Sequence, residues 1–220
     1  MIKGISLVYR LFRYSPDGED NANMIARVVT YFNGKSKFNQ MCKWAETPVG
    51  KRYLAGERII DNIEDFRERD NDTLGRKYLE FMDKFYFGKL ADLIVLPDRV
   101  KADLLEEKYA LFIMDTHDFL HVILGYPPTP FGELMRIKVF KKYEGRGWAV
   151  VDFVGRLWAM SKGLKEARRY HELAQEARWM RKFSINYVYE DWFEMLGWHI
   201  NKVRKNLSTK STTLYNYNDL

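Results

Sequence analysis

Apolar residues recur three and four positions apart over most of this chain, while strict alternation is brief and scattered. That period lines side chains along one face of a 3.6-residue helix, so the fold class is mainly α. Breakers cut the pattern at Ser15-Pro16-Asp17-Gly18, Thr47-Pro48-Val49-Gly50, Pro97-Asp98, the cluster Gly125 to Gly132 with its three prolines, and Gly145-Arg146-Gly147. Helices are expected at about 19–45, 48–56, 73–86, 100–124, 132–143, 148–177 and 190–206. Thr47 before Pro48 reads as an N-cap with proline in the first turn, and Thr73 as the cap of the segment that follows it. The hydrophilic stretch Asn62 to Asp72 reads as a surface loop, and Ser208 to Leu220 as a loosely ordered tail. With 220 residues and 46% apolar content the chain can close one core, and the expectation is a single-domain helical bundle over 1–220.

Cysteine usage narrows the chemistry. One cysteine, Cys42, excludes an intramolecular disulfide and any cysteine-based zinc site, so metal chemistry would have to use histidine and carboxylate. A reducing, intracellular setting fits best. No run reaches the roughly 18–20 consecutive apolar residues of a membrane span. Met1 to Phe12 has the character of neither a signal nor a transit peptide, which gives a cytoplasmic expectation. The charge of +6 is unevenly placed: Leu134 to Lys210 holds 17 Lys and Arg against 8 Asp and Glu, leaving 19 against 22 elsewhere. That basic excess can face an anionic membrane surface, an acidic partner or solvent alone. Nucleic acid is not an expected partner, because the basic residues are spread among bulky apolar ones and no binding module is present.

Two of the four histidines, His117 and His121, stand one helical turn apart. Both imidazoles can therefore reach one point at about 2 Å, the distance a metal needs. Asp118, about 100° round the helix, either binds from the flank or orients an imidazole from behind. The helix must stop near Gly125, since Pro127, Pro128 and Pro130 cannot continue it, and the chain restarts at Gly132-Glu133. A carboxylate in the first turn of a returning helix can face back, so Glu133 is the natural further ligand. Mixed nitrogen and oxygen donors suit zinc, iron or manganese, and magnesium less readily. The plain alternative is a pair of core histidines with satisfied hydrogen bonds. A second alternative is a phosphohydrolase built on the His117-Asp118 doublet, which needs further ligands on other helices; only His171 and His199 are left for it, and both read as structural.

The stretch His117-Asp118-Phe119-Leu120-His121, with eleven residues before Glu133, resembles the His-Asp-x-x-His, eleven residues, Glu motif of the Coq-four family of coenzyme Q (ubiquinone) biosynthesis proteins. Leu74-Gly75-Arg76-Lys77-Tyr78-Leu79-Glu80-Phe81 is similar to that family's Leu-Gly-x-x-Tyr-x-x-Phe stretch, and Asn186-Tyr187-Val188-Tyr189-Glu190 with Trp192 to its C-terminal signature. The likeness covers roughly Thr47 to Leu207 and is loose over the first 45 residues.

The resemblance implies a mostly helical, peripheral membrane protein with an apolar lipid-binding cavity for a prenyl chain. It also implies one divalent metal ion (zinc, iron, manganese or magnesium) on His117, Asp118, His121 and Glu133, which would be the catalytic residues if the protein is an enzyme. Two roles stay open. One is a metal-dependent decarboxylase and hydroxylase of a prenylated hydroxybenzoate; the other is a non-catalytic scaffold that presents lipids to quinone-biosynthesis enzymes. A homodimer is the expected assembly. The segment 148–177, with Trp148, Val151, Val154, Leu157, Trp158 and Leu164 beside Lys162, Lys165, Arg168 and Arg169, reads as an amphipathic basic helix for a membrane interface, or as a core helix with a solvated basic face.

Overall fold

The computed structural model describes residues 38–85, 103–144 and 147–214. Residues 38–45 are helical. The helices that follow are α1 (Pro48–Leu54), α2 (Leu74–Phe85), α3 (Leu104–Leu124), α4 (Pro130–Glu144), α5 (Gly147–Ser161), α6 (Leu164–Phe183), α7 (Trp192–Met195) and α8 (Ile200–Asn206). Short 3₁₀ turns occupy Ile63–Phe66 and Tyr187–Tyr189. Among the described residues there is no strand, only an isolated bridge between Thr73 and His199, and the mainly α expectation holds. The chain divides into two compact units, one of residues 38–125 with 185–211, the other including 126–184 and 212–214.

The first unit is built on an aromatic core. Trp44 meets Tyr109 and Phe112 at centroid distances of 5.2 and 5.3 Å, and Tyr78 stacks on Phe119 at 4.2 Å. Trp192 closes against Phe119, its indole N–H donating to the Tyr187 carbonyl at 2.9 Å. Thr47 caps α1 as expected, its hydroxyl accepting from the Gly50 N–H at 3.1 Å. Gly75 sits where a Cβ would lie 2.5 Å from the Phe66 ring, which explains why glycine follows Leu74.

The expected helix 190–206 is two helices. Between them Leu196 and Trp198 turn their carbonyls to the N–H groups of Gly75 and Leu74, at 3.0 and 2.9 Å. These contacts satisfy first-turn donors of α2 that would otherwise lack partners. The supposed surface loop 62–72 is also more ordered than its composition suggests: Ile63 is buried in the 3₁₀ turn, and Arg67 pairs with both Glu64 and Asp83.

In the second unit α4, α5 and α6 pack on one another. Gly155 lets α5 approach Leu134 of α4, whose side chain would lie 2.4 Å from a Cβ there. Inside, Asp152 accepts from the ammonium of Lys138 and from the Tyr170 hydroxyl, the latter at 2.9 Å. The expected helix 148–177 breaks at Lys162-Gly163, because Gly163 takes φ +105°, a left-handed value that ends one helix and redirects the next. Phe153, Leu157 and Met160 form an exposed stripe on α5, and Leu164 beyond the break is 92% exposed. The tail is tied down as far as it is described: Glu176 accepts from the hydroxyls of Thr212 and Thr213 and from the Thr213 N–H. Most of the expected helix 19–45, and residues 100–102, lie outside the described residues.

Candidate metal centre

Helix α3 starts at Asp103, whose carboxylate accepts from the Glu106 N–H at 2.9 Å, and stops at Gly125 in the left-handed conformation, φ 71°. Its last carbonyls are engaged by Arg204, with Nε donating to Ile123 O at 2.8 Å. This firm C-terminal turn carries His121, which is 0% exposed and stacks against Phe81 at 6.1 Å. One turn earlier His117 is half-buried, and the two imidazole centroids are 4.9 Å apart. The spacing of four does place both rings on one side, as the sequence predicts.

Asp118 is buried beside His117, with Oδ1 2.8 Å from Nδ1. A carboxylate there fixes the ring's orientation and directs Nε2 away from itself. Of the two roles the sequence allows for Asp118, this contact is the orienting one.

On another side of α3, Asp115 is buried and takes a two-point contact from Arg58, at 2.6 and 3.0 Å, with the Tyr53 hydroxyl donating at 2.7 Å. Burial pushes the Asp115 carboxyl above the ordinary carboxylate range, and the Arg58 and Tyr53 bonds pull against that. Burial likewise raises the Tyr53 phenol. Tyr53 belongs to α1, so this polar cluster ties α1 to the helix that carries the histidines. Sequence reading missed it. An aspartate amid the apolar residues Ile113, Met114 and Phe119 was the available signal.

Glu133 stands in the first turn of α4. The Thr129 hydroxyl accepts from the Gly132 N–H at 3.3 Å, and the Thr129 carbonyl from the Glu133 N–H at 2.9 Å. Gly132 is required by a close approach: a Cβ would lie 1.8 Å from the Pro127 carbonyl oxygen. The Glu133 carboxylate lies 3.6 Å from Nε of Arg136, a pair in which Arg136 is the buried member. One ligand-capable atom each from His117, His121 and Glu133 falls within 4.8 Å of the others. Two ring nitrogens and one carboxylate oxygen form a donor set that fits a divalent transition metal.

The other histidines do not join this group. His171 bonds Gln175 at 2.8 Å on an exposed face of α6, and His199 caps α8 by accepting from the Asn201 N–H at 3.1 Å. Both have the structural roles expected of them.

The family model described as "Coenzyme Q (ubiquinone) biosynthesis protein Coq4" matches residues 18–212. The chain belongs to the Coq4 family. The match extends the likeness to the N-terminal side of Thr47, where the sequence alone gave only a loose resemblance. Two curated relatives from strains of Ajellomyces capsulatus, each named "Ubiquinone biosynthesis protein COQ4, mitochondrial", are 29% identical over 103 residues. That stretch is 43% of this chain and 34% of the relatives' length. The word mitochondrial describes those fungal proteins and differs from the cytoplasmic expectation for this one. A crystal structure of a Nostoc punctiforme protein, provisionally assigned to ubiquinone biosynthesis, superposes with a TM-score of 0.70 over 94% of this chain and 97% of that one, at 14% identity. At that identity the likeness is one of fold. No helix among the described residues of this Coq4 protein is long and apolar enough to cross a membrane.

Proposed function

We propose that this Coq4 protein holds one divalent cation on His117, His121 and Glu133, with Asp118 orienting His117, and acts on the anionic head group of a prenylated hydroxybenzoate in ubiquinone biosynthesis. The observation that carries the reading is the convergence of the three ligand atoms within 4.8 Å. A cation bound there would polarise a carboxylate or activate water or dioxygen. The protein's own contribution is orientation and dryness. Asp118 holds the His117 ring, Phe81 flanks His121, and Leu120, Ile123 and Leu124 on the same helix are buried apolar neighbours that exclude water and suit a prenyl chain. Asp118 is a positioning residue in this scheme.

The reading includes peripheral association with an anionic membrane surface. Its support is the exposed stripe of Phe153, Leu157, Met160 and Leu164, with Arg156, Lys162, Lys165, Arg168 and Arg169 exposed beside it. A homodimer and contacts with other quinone-biosynthesis enzymes belong to the same proposal.

The test is metal content, co-purified lipid and turnover in His117→Ala and Glu133→Ala. Each variant is expected to lower metal affinity by about 100-fold or more, while Asp118→Asn lowers it by about 10–100-fold. Turnover is lost with the metal and prenyl lipid is retained. Quinone production that persists in a metal-free, lipid-competent variant would overturn the enzymatic reading and assign the scaffold role instead.

A further inference from the structure

We propose that Arg204 is a positioning residue of the centre, holding the helix turn that carries His121 so that its ring meets the cation; this rests on the metal reading above. The reason begins in the sequence. In an α-helix each carbonyl accepts from the N–H four residues on, so the carbonyls of Ile123 and Leu124 look to positions 127 and 128. Both positions are proline, which has no N–H to give. Ile123 and Leu124 are fully buried, and a buried carbonyl without a donor is costly.

A side chain supplies what the first of those prolines cannot. Arg204, half-buried on α8, donates from Nε to the Ile123 carbonyl at 2.8 Å and from Nη2 to the Val122 carbonyl at 3.5 Å. Its Nη1 donates to Oδ1 of Asn201, one turn earlier on α8, at 3.2 Å, which steadies the guanidinium plane. The His121 carbonyl is closed by the Gly125 N–H at 2.8 Å, so the carbonyls of His121, Val122 and Ile123 are all engaged.

His121 lies in that turn, and an intact turn is what sets its ring against that of His117. Asp118 orients His117 through the ring itself, whereas Arg204 acts on His121 through the backbone. Metal–ligand distances are held to within about 0.2 Å, so fraying of one turn is enough to part the two imidazoles from a shared ion. The sign of the charge separates this role from a plain electrostatic one. A guanidinium repels a divalent cation, so an arginine acting through charge alone weakens zinc binding and its removal tightens it. Positioning predicts the reverse.

The experiment is competitive zinc titration of the full chain against a chromophoric chelator, with denaturant unfolding of each variant alongside. Arg204→Met removes donors and charge together and is expected to weaken zinc binding by about 10–100-fold. Arg204→Gln sets an amide nitrogen at the same place along the side chain as Nε, without the charge, and is expected to stay within about 3-fold of the parent. Zinc affinity that is unchanged or tighter in Arg204→Met overturns the proposal, because a merely structural arginine lowers the unfolding midpoint and leaves the folded protein's affinity alone. So does a glutamine variant as weak as the methionine one. If Arg204→Met fails to fold, Arg204→Lys decides the matter. Lysine keeps the charge and carries its amine one atom beyond the Nε position, so weakened zinc binding supports the proposal and parental binding overturns it. If the parent takes up no zinc the metal reading fails by itself, and hydrogen exchange answers for Arg204 in the metal-free chain. The Gly125 amide, bonded to the His121 carbonyl, is then expected to exchange about 10-fold faster or more, relative to Thr116 within the same helix, in whichever of the methionine and lysine variants folds. An unmoved Gly125 amide overturns the proposal.

Discussion

In the unit formed by residues 38–125 and 185–211, Trp44, Tyr53, Phe112, Phe119 and Trp192 are wholly enclosed, and among the described residues carboxylate and imidazole groups enter the interior at Asp115, Asp118 and His121, all on α3. In the unit that includes 126–184, two cations, Arg136 and Lys138, are inside, while Phe153, Met160, Leu164, Trp179 and Phe183 stand in solvent. Enclosed aromatics contribute directly to stability, whereas buried ion pairs break about even against apolar replacements and exposed apolar side chains contribute little. The first unit is therefore organised as a stable mount for the histidines. The second also encloses Tyr126, Met135 and Phe140, and differs in burying the cations of α4 while leaving an apolar stripe on α5 exposed.

The largest effect that would sharpen this contrast is expected in the aromatic core. Phe119→Ala removes a fully buried ring stacked on Tyr78 and touching Trp192, and should cost about 3–5 kcal/mol in denaturant unfolding. A loss under about 1 kcal/mol would mean that the core collapses around the gap and is not the rigid mount described.

A smaller effect is expected from the charges of the second unit. Lys138→Met leaves the Asp152 carboxylate without its ammonium and should cost about 2–3 kcal/mol, below the range of about 3–5 for wholly buried pairs because Asp152 keeps some exposure. Adding Asp152→Asn keeps an acceptor for the Tyr170 hydroxyl and should restore most of that loss. Failure of the double variant to recover would show the pair to be a genuine source of stability, and the two units would differ less than their compositions suggest.

The same contrast explains what the sequence could and could not reveal. The helical period and the caps at Thr47 and Thr73 are local, and both read correctly: the Thr73 hydroxyl accepts from the Arg76 N–H at 3.4 Å. The shared face of His117 and His121 is equally local, since four residues of helix fix it. The break at Gly163 was missed because the apolar period resumes on its far side. Only the positive φ of one residue marks the change of axis, and glycine by itself does not announce it. The division of 190–206 was missed for a different reason, since its turn is stabilised by donors of α2 more than a hundred positions away. Asp115 with Arg58, 57 residues apart, and Glu176 with Thr212, 36 apart, are likewise long-range matches of polar groups that no local pattern encodes. Polar residues in the tail therefore looked unanchored when they are held.

The smallest effect on stability, and the sharpest test of the second unit's surface, is expected from Leu164→Ser. Its side chain is 92% exposed and follows Gly163 at the turn between α5 and α6, so its loss should move unfolding by no more than about 0.5 kcal/mol. If the stripe meets a membrane, the same change should weaken binding to vesicles of phosphatidylserine and phosphatidylcholine by on the order of 5–10-fold, because a leucine that partitions from water removes apolar area worth about 1.5–3 kcal/mol when fully buried and less at an interface. Replacing Lys162 and Lys165 with glutamine should weaken binding further, by about 1 kcal/mol each, and only on vesicles that carry anionic lipid. Unchanged vesicle binding in both variants would detach the stripe from the membrane. A stability loss as large as that of Phe119→Ala would instead show that Leu164 is covered in solution, and the contrast drawn from its exposure would fall.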